Sequence, residues 1–346
     1  MRVYSISYDI YSLFCVFFVC AGKNSANRDA PFLPFTSLCI HEERLFEMTQ
    51  TRTAFISIVG CPNVGKSSLL NRMLGQKIAI VSDKPQTTRT RIMGVLTQEE
   101  TQLVFTDTPG FHRPHNKLGE KMIKAVGDSI ADVDACLFVV EPQGELRQAE
   151  QELIKRFQAE KLPVILAINK IDTLARKELL MERILKFSAL YDFTAVVPVS
   201  ALKGDGVTDL LAELKKLSTP SMHFFPDDTL TDQPERVIAA EIIREKLLRL
   251  LNQEIPHGIA VSVEKMRERE NSGLMDVEAT IYCERESHKG IVIGKKGAML
   301  KKVSTYARED MERFFNIRIH LQCWVKVKDC LLYTSPRPRD RTRSRM

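Results

Sequence analysis

A doubly wound α/β sheet of mostly parallel strands, followed by a smaller α+β domain, is predicted by three observations. Short apolar runs rich in Ile and Val recur through residues 48–218 with helical patterns between them. A glycine-rich loop of the form G-x-x-x-x-G-K-S joins the first such run to its helix. Beyond residue 235 the order changes to one helix, two alternating strands, a helix and a strand, with room for one further helix.

The chain has 346 residues, more than the roughly 100–200 of an ordinary domain. Its 44% hydrophobic and 27% charged residues exclude disordered and low-complexity classes. The net charge of +6 sits at the C-terminal end. Residues 48–234 balance, whereas 235–328 hold 18 Lys and Arg against 14 Asp and Glu, and 329–346 hold 5 against 2. That distribution favours a polyanionic partner for the second domain. None of the 8 cysteines forms a CxxC pair or a Cys/His cluster of zinc spacing, so reduced thiols of a cytosolic protein are expected, several of them core fillers.

Both ends depart from the pattern. Residues 1–47 contain "YSLFCVFFVCAG", too short an apolar run to span a bilayer. The expected start is Met48, because "MTQTRTAFISIVG" runs directly into the first strand; a targeting segment is the alternative. The tail 329–346, "DCLLYTSPRPRDRTRSRM", has no periodicity and is assigned no function, with a basic RNA-binding tail as the alternative.

"AFISIVG" suits a buried parallel strand and feeds "GCPNVGKSS", Gly60, Cys61, Pro62, Asn63, Val64, Gly65, Lys66, Ser67 and Ser68. The two glycines let main-chain N–H groups wrap a phosphate, and the helix starting near Lys66 adds its positive dipole end. Lys66 is expected on the β- and γ-phosphates and Ser67 on Mg²⁺. A strand before the loop and a helix after it separate this reading from a glycine turn with a surface lysine.

Three later strand ends choose the nucleotide. "LVFTDTPG" ends in Asp107, Thr108, Pro109 and Gly110; Asp107 can reach Mg²⁺ and the Gly110 N–H can meet a γ-phosphate. "PVILAINKID" ends in Asn169, Lys170 and Asp172, and a carboxylate there accepts the two N–H donors of a guanine edge, which adenine does not offer. "VVPVSALKG" supplies Ser200, Ala201 and Leu202, with the Ala201 amide expected on guanine O6. GTP and GDP with Mg²⁺ are therefore the expected ligands, and an ATPase or small-molecule kinase is disfavoured by "NKID".

In this order the motifs resemble those of the translation-factor-like GTPases, and "KPQTTRTRIMGV" resembles switch I of the Era family. The resemblance implies that Thr87 or Thr88 closes over Mg²⁺. It places Lys66, Thr87, Thr88, Asp107 and Gly110 in catalysis. Phe111 follows Gly110, so no glutamine orients the attacking water, and the family implies slow hydrolysis through other groups. Asn63 resembles relatives that recruit K⁺; the alternative is a hydrogen bond within the loop. His112 and His115 in "FHRPHNKLGE" read as a solvated loop ahead of a catalytic His112.

"LSTPSMHFFPDDTLTDQPE" lacks periodicity and reads as a linker, bounded at 219–235. "RVIAAEIIREKLLRLLNQ" then places Val237, Ala240, Ile243, Leu247 and Leu250 on one helix face. "GIAVSVEKM" and "MDVEATIYCE" alternate as strands, "GIVIGKKG" turns into a helix, and "IRIHLQCWVKV" alternates again. This order over 236–328, with Gly294-Lys295-Lys296-Gly297 at a helix start, resembles a KH domain, here type II. The resemblance implies that the bend grips single-stranded RNA. The candidate contacts are Lys289, Ile293, Gly294, Lys295, Lys296, Gly297, Lys301 and Lys302, with Ile291 and Leu300 helping to floor a groove.

A GTPase with this switch I joined to a KH domain is similar to the bacterial Era family from about Met48 to Asp329, "QPERVIAAEIIREKLL" and "WVKVKD" included. The resemblance implies a monomeric, cytoplasmic GTPase that binds the 3′ end of small-subunit ribosomal RNA. It also implies assistance to small-subunit maturation and loose association with the inner face of the cell membrane. The closing helix of the family is absent after Asp329. The competing reading is an RNA chaperone that holds GTP with negligible turnover.

Overall fold

The computed structural model describes residues 51–81, 92–108, 110, 133–176, 178–251, 259–270 and 272–328, and elements are numbered among these. Strands β1 (Arg52–Val59), β2 (Ile92–Gln98), β3 (Thr101–Asp107), β4 (Ala135–Val140), β5 (Val164–Ile168) and β6 (Ala195–Pro198) form one sheet in the order β2-β3-β1-β4-β5-β6. All neighbours are parallel except β2, which pairs antiparallel with β3. The central strand "ACLFVV" is buried at every position, as expected for a strand covered on both faces.

Helices α1 (Lys66–Leu74), α2 (Gln148–Glu160), α3 (Glu178–Ser188) and α4 (Val207–Lys216) cover the two faces. On one side Leu69, Leu70 and Met73 of α1 and Leu210 and Leu214 of α4 pack on Ile56 and Ile58. On the other, Leu153 and Phe157 of α2 and Phe187 of α3 pack on Phe138, whose ring meets Phe157 at 5.4 Å and Phe187 at 5.8 Å, both edge-on. Each fully buried large side chain contributes about 1.5–3 kcal/mol. The free thiols of Cys61, Cys136 and Cys283 are buried, and burial pushes the Cys136 thiol up to about 12.

The stretch read as a linker is strapped to this sheet. Strand β7 (Thr219–Pro220) pairs antiparallel with β1. The buried Gln102 side chain accepts from Phe224 N (2.8 Å) and Phe225 N (3.0 Å) and donates to Phe225 O (2.9 Å). Further on, Val95 N donates to Leu230 O at 2.9 Å. The segment lacks periodicity because its backbone groups are satisfied by the sheet edge and one glutamine, not by a regular element of its own.

The second domain runs α5 (Glu235–Leu250), β8 (Ile259–Arg269), β9 (Leu274–Cys283), α6 (Glu286–Ile293), α7 (Ala298–Phe315) and β10 (Arg318–Val327). Its sheet has the order β10-β9-β8, with β8 antiparallel and β10 parallel to β9. The parallel pair is reached through α6 and α7, which cover one face together with α5. Along β10 the exposed residues are Arg318, His320, Gln322, Trp324 and Lys326, as the alternation predicts.

Two expectations are corrected. "GIVIG" is the last turn of helix α6 with its C-cap Gly294, where the sequence predicts a turn leading into the next helix; only Gly294–Gly297 forms the bend. Helix α5 is not amphipathic with a single stripe. The predicted Ala240, Ile243 and Leu247 are buried and the predicted Val237 and Leu250 half-buried, but Ile238, Ala239, Ile242, Arg244, Glu245 and Lys246 are buried as well. The helix is sandwiched, with its apolar side in the second core and Glu245 and Arg249 against the first domain.

Those charges form the junction. Glu245, fully buried, pairs with Lys77 at 2.6 Å and with Arg249 at 2.5 Å. Asp310 of α7 pairs with Lys77 at 2.9 Å and with Lys246, and Arg249 Nε donates to Val81 O at 3.1 Å. Phe314 packs against both cores. Burial alone would raise the Asp310 pKa, but hydrogen bonds from Lys246 and Lys77 outweigh it and hold the carboxyl below its ordinary value. Stability from Asp310 is therefore complete above its unfolded value near pH 3.9 and is lost as pH falls through the lower folded one.

Lys77→Met leaves Glu245 with Arg249 alone and should cost about 1–3 kcal/mol at neutral pH. Asp310→Asn should flatten the acid limb of the stability profile below about pH 4. Urea titrations across pH check both; an acid limb in Asp310→Asn that matches wild type contradicts this account of the junction.

Candidate functional site

The C-terminal ends of β1, β3, β5 and β6 bring the sequence motifs together, as open parallel sheets do for their ligands. The loop after β1 is built on unusual backbone: Gly60 at φ 151°, Asn63 at φ 63° and Gly65 at φ 95°. A Cβ on Gly60 would stand 2.3 Å from Val139 O, and one on Gly65 would stand 2.3 Å from Asn169 Nδ2. Both positions therefore require glycine on conformation and on space.

Lys66 is buried, and its Nζ donates to Gly60 O (3.2 Å) and Cys61 O (3.0 Å). Burial pushes its pKa down, with Asp107 pulling the other way. Ser67 Oγ donates to Asp107 Oδ2 at 2.6 Å, so a hydroxyl from the start of α1 and a carboxylate from the end of β3 meet. Two hard oxygens at the mouth of an anion-binding loop suit Mg²⁺, which takes few protein ligands and completes its octahedron with water and phosphate. Thr108 turns inward and donates to Ile58 O at 2.8 Å. Gly110 lies against the loop: an added Cβ would stand 2.7 Å from Pro62 Cα. Pro109, Thr87, Thr88, Phe111, His112 and His115 lie outside the described residues.

The base-side residues are wired to the phosphate loop. Asn169 Nδ2 donates to Val64 O (2.9 Å), and Asn169 Oδ1 accepts from Ala201 N (3.0 Å). The Ala201 amide, expected on guanine O6, is thus directed at Asn169 in this structure. Asp172 Oδ1 accepts from Ser200 Oγ at 2.5 Å, and Ser200 Oγ in turn accepts from Lys203 N at 3.1 Å. Lys170 Nζ donates to Asn63 O (2.6 Å) and to Glu141 Oε1 (2.7 Å). Leu202 is exposed. Ser68 is half-buried in the first turn of α1, and the Asn63 side chain is exposed at the loop tip.

Glu141 and Arg147 escaped the sequence reading. Glu141 is the first residue after the buried strand β4, and a polar residue at that end of a parallel strand was the available signal.

The second bend follows α6. Gly294 (φ 72°), Lys296 (φ 50°) and Gly297 (φ 78°) all have positive φ, and Gly297 stands immediately before α7. A Cβ at Gly294 would stand 2.7 Å from Met299 Cβ, whereas one at Gly297 would meet nothing within 4 Å. Lys295 and Lys296 are exposed at the tip, and Lys301 and Lys302 are exposed on α7. Lys289 on α6 is half-buried and loosely paired with Glu286 at 3.6 Å. Ile291, Ile293 and Leu300 are half-buried around the buried Val292. The arrangement offers cationic side chains, a helix N-terminus and an approachable backbone to an extended polyanion.

Residues 55–170 match the family described as 50S ribosome-binding GTPase, and residues 254–330 match the KH domain. The chain is 48% identical over 277 residues to the GTPase Era of Clostridium kluyveri, spanning 80% of this chain and 94% of that one. It is 49% identical over 278 residues to the GTPase Era of Clostridioides difficile, with the same coverage. Among solved structures it is similar to Era in complex with MgGDPNP and nucleotides 1506–1542 of 16S ribosomal RNA, at 36% identity and TM-score 0.76 over 80% of this chain and 94% of that one. It is equally similar to an Era variant from Aquifex aeolicus bound to GDP and AlF₄⁻, at 36% identity and TM-score 0.77.

Gly294→Ala places a methyl against Met299 on left-handed backbone, whereas Gly297→Ala meets only the conformational cost. Gly294→Ala should therefore destabilise the second domain by about 1–3 kcal/mol, and Gly297→Ala by about 1. Paired denaturation curves check the order; equal losses at the two sites argue against the packing difference.

Proposed function

The chain belongs to the Era family of GTPases, and from that premise we propose that it is a GTP-hydrolysing switch that binds single-stranded ribosomal RNA and assists assembly of the small ribosomal subunit. The observation that carries the reading is the presence on one chain of two glycine-built bends of different character. The bend at Gly60–Ser67 is enclosed, backed by Val139 and Asn169, and suits the phosphates of one mononucleotide. The bend at Gly294–Gly297 is packed at Gly294 against Met299 but open at Gly297, and it is flanked by lysines, which suits a polynucleotide backbone.

In the first site Gly60, Cys61, Pro62, Asn63, Val64, Gly65, Lys66, Ser67 and Ser68 wrap the phosphates, and Lys66 exchanges its two carbonyl partners for phosphate oxygens. Ser67 and Asp107 hold Mg²⁺ with Thr87 or Thr88. When bound, the ion offsets charge that develops on the phosphates. Asn169, Lys170, Asp172, Ser200, Ala201 and Leu202 form the base site, where Asp172 accepts from the guanine edge and rejects adenine, which would leave the carboxylate unpaired. With Phe111 in place of a glutamine, intrinsic turnover is slow. In the second site Lys289, Lys295, Lys296, Lys301 and Lys302 neutralise backbone charge while Gly294, Gly297 and Ile293 line the path of the strand. The RNA is the 3′ end of the small-subunit ribosomal RNA, the region present in the solved Era complex.

The junction favours a switch over a passive holder of GTP. Lys77 lies between α1 and the segment carrying Thr87 and Thr88, and it binds both α5 and α7 of the second domain. A γ-phosphate that rearranges that segment pulls on α7, which follows Gly297. Both sites lie on one chain, so a monomer suffices. The place of action is the cytoplasm, with membrane contact peripheral at the inner face. Among the described residues no helix is long and apolar enough to cross a membrane.

Asp172→Asn should lower GTP affinity about 100-fold or more and raise affinity for xanthosine triphosphate; calorimetry with both nucleotides checks it. Gly294→Asp in the full chain should weaken binding of a single-stranded 3′-end oligoribonucleotide about tenfold or more and leave GTP affinity unchanged. Single-turnover GTP hydrolysis with and without that RNA decides between switch and holder. Measurable turnover, altered by RNA, is expected; none under either condition favours the holder.

A further inference from the structure

Two non-glycine residues with left-handed backbone face each other across the nucleotide site: Asn63 at φ 63° in the phosphate loop and Lys170 at φ 66° in the base loop. Each conformation costs about 1–2 kcal/mol and persists only where its surroundings over-determine it. One ammonium joins the two, because Lys170 Nζ donates to Asn63 O at 2.6 Å. Its second partner is Glu141 Oε1, at 2.7 Å.

Glu141 is itself held by two arginines. Arg147 NH2 donates to Glu141 Oε2 at 2.5 Å. The buried Arg183 donates to the main-chain O of Glu141 at 3.2 Å and to Gly144 O at 3.0 Å, which clamps the loop after β4. Arg183 is fixed in turn by the buried Glu150 at 3.2 Å, and Glu150 Oε2 accepts from Arg147 N at 2.8 Å. The result is a rigid post on the α2–α3 side of the sheet, with one carboxylate presented to Lys170. Burial alone would raise the Glu141 pKa, but hydrogen bonds from Lys170 and Arg147 outweigh it and keep the carboxylate charged.

We propose that Glu141, braced by Arg147, is a positioning residue for guanine recognition: it pins the Lys170 ammonium to the phosphate loop and so holds the strained backbone from which Asp172 is aimed. The inference rests on the guanine-binding reading above. Its effect passes through Lys170, which caps the 3₁₀ turn Ile171–Thr173, to Asp172 within that turn. With a neutral side chain at 141 the ammonium loses its charged partner, and its hold on Asn63 O and on its own left-handed backbone weakens.

The test is nucleotide binding by the full-length chain. Glu141→Gln should raise the Kd for GDP and for GTP by the same factor, about tenfold, the size of one charge-assisted hydrogen bond. Equal factors are expected because the loss is on the base side. Glu141→Gln should also narrow the preference for GDP over IDP, which lacks the exocyclic amine that Asp172 reads; a merely structural loosening would leave that ratio unmoved. In a Lys170→Met background, Glu141→Gln should add less than about twofold, because its path to the base is already cut. A full tenfold effect in that background overturns the proposal, as does an unchanged GDP to IDP ratio. Arg147→Met should reproduce the changes of Glu141→Gln in weaker form, and wild-type binding in Arg147→Met removes the bracing role. The wild-type preference for GDP over ADP is measured first. If that preference is absent, the guanine reading itself falls; if it is present and Glu141→Gln binds like wild type, only this inference does.

Discussion

An ammonium buried to 6% exposure governs the architecture of the first domain. Removing a charge from water is expensive unless oxygens surround it. Lys66 finds them in two main-chain carbonyls, Gly60 O and Cys61 O, which can point inward only because the loop turns through left-handed backbone. That turn requires glycine at Gly60, where Val139 O leaves no room for a side chain. It also requires β1 and β4 side by side, so that the loop rests on a strand end. The lysine, the glycines and the strand order are one constraint seen from three sides. The same carbonyls that hold the ammonium are weaker partners than phosphate oxygens, so the site is preorganised for an anion.

The two glycine bends set one backbone device in two different surroundings. Around Gly60 and Gly65 the protein closes in, and the loop shapes itself to a compact group. A Cβ at Gly297 would meet nothing within 4 Å among the described residues, so the backbone there is approachable. The lysines follow the same division. Lys66 is buried and donates to main-chain carbonyls, whereas Lys295 and Lys296 are exposed at the tip of the second bend.

Between the domains, charge does what apolar packing does elsewhere. Helix α5 buries Arg244, Glu245 and Lys246 along with its aliphatic face. A buried ion network contributes little net stability but penalises every arrangement that leaves one charge alone. It therefore specifies one docking of the helices against Lys77 and Val81. The strapped segment around Gln102 adds to this by leaving the connection little freedom.

The sequence by itself determined the parts whose cause is local. A glycine loop between a strand and a helix, a strand ending in a carboxylate, and a glycine pair ahead of a helix each carry their reason within ten residues. For that reason the motif residues Gly60–Ser67, Asp107, Asn169–Asp172 and Ser200–Ala201 were legible before the fold, as was the alternation of β10. Only the tertiary structure decided what depends on neighbours remote in the chain. The burial of α5 on two sides was invisible because its second partner, Lys77, lies more than a hundred residues earlier. The strapping of 219–235 depends on one buried glutamine in another strand. The turn of the Ala201 amide toward Asn169 and the hold of Glu141 on Lys170 join loops that meet only when parallel strands align their ends. Local backbone preference is written residue by residue; the pairing of charges across a sheet is not, because it needs the sheet to exist first.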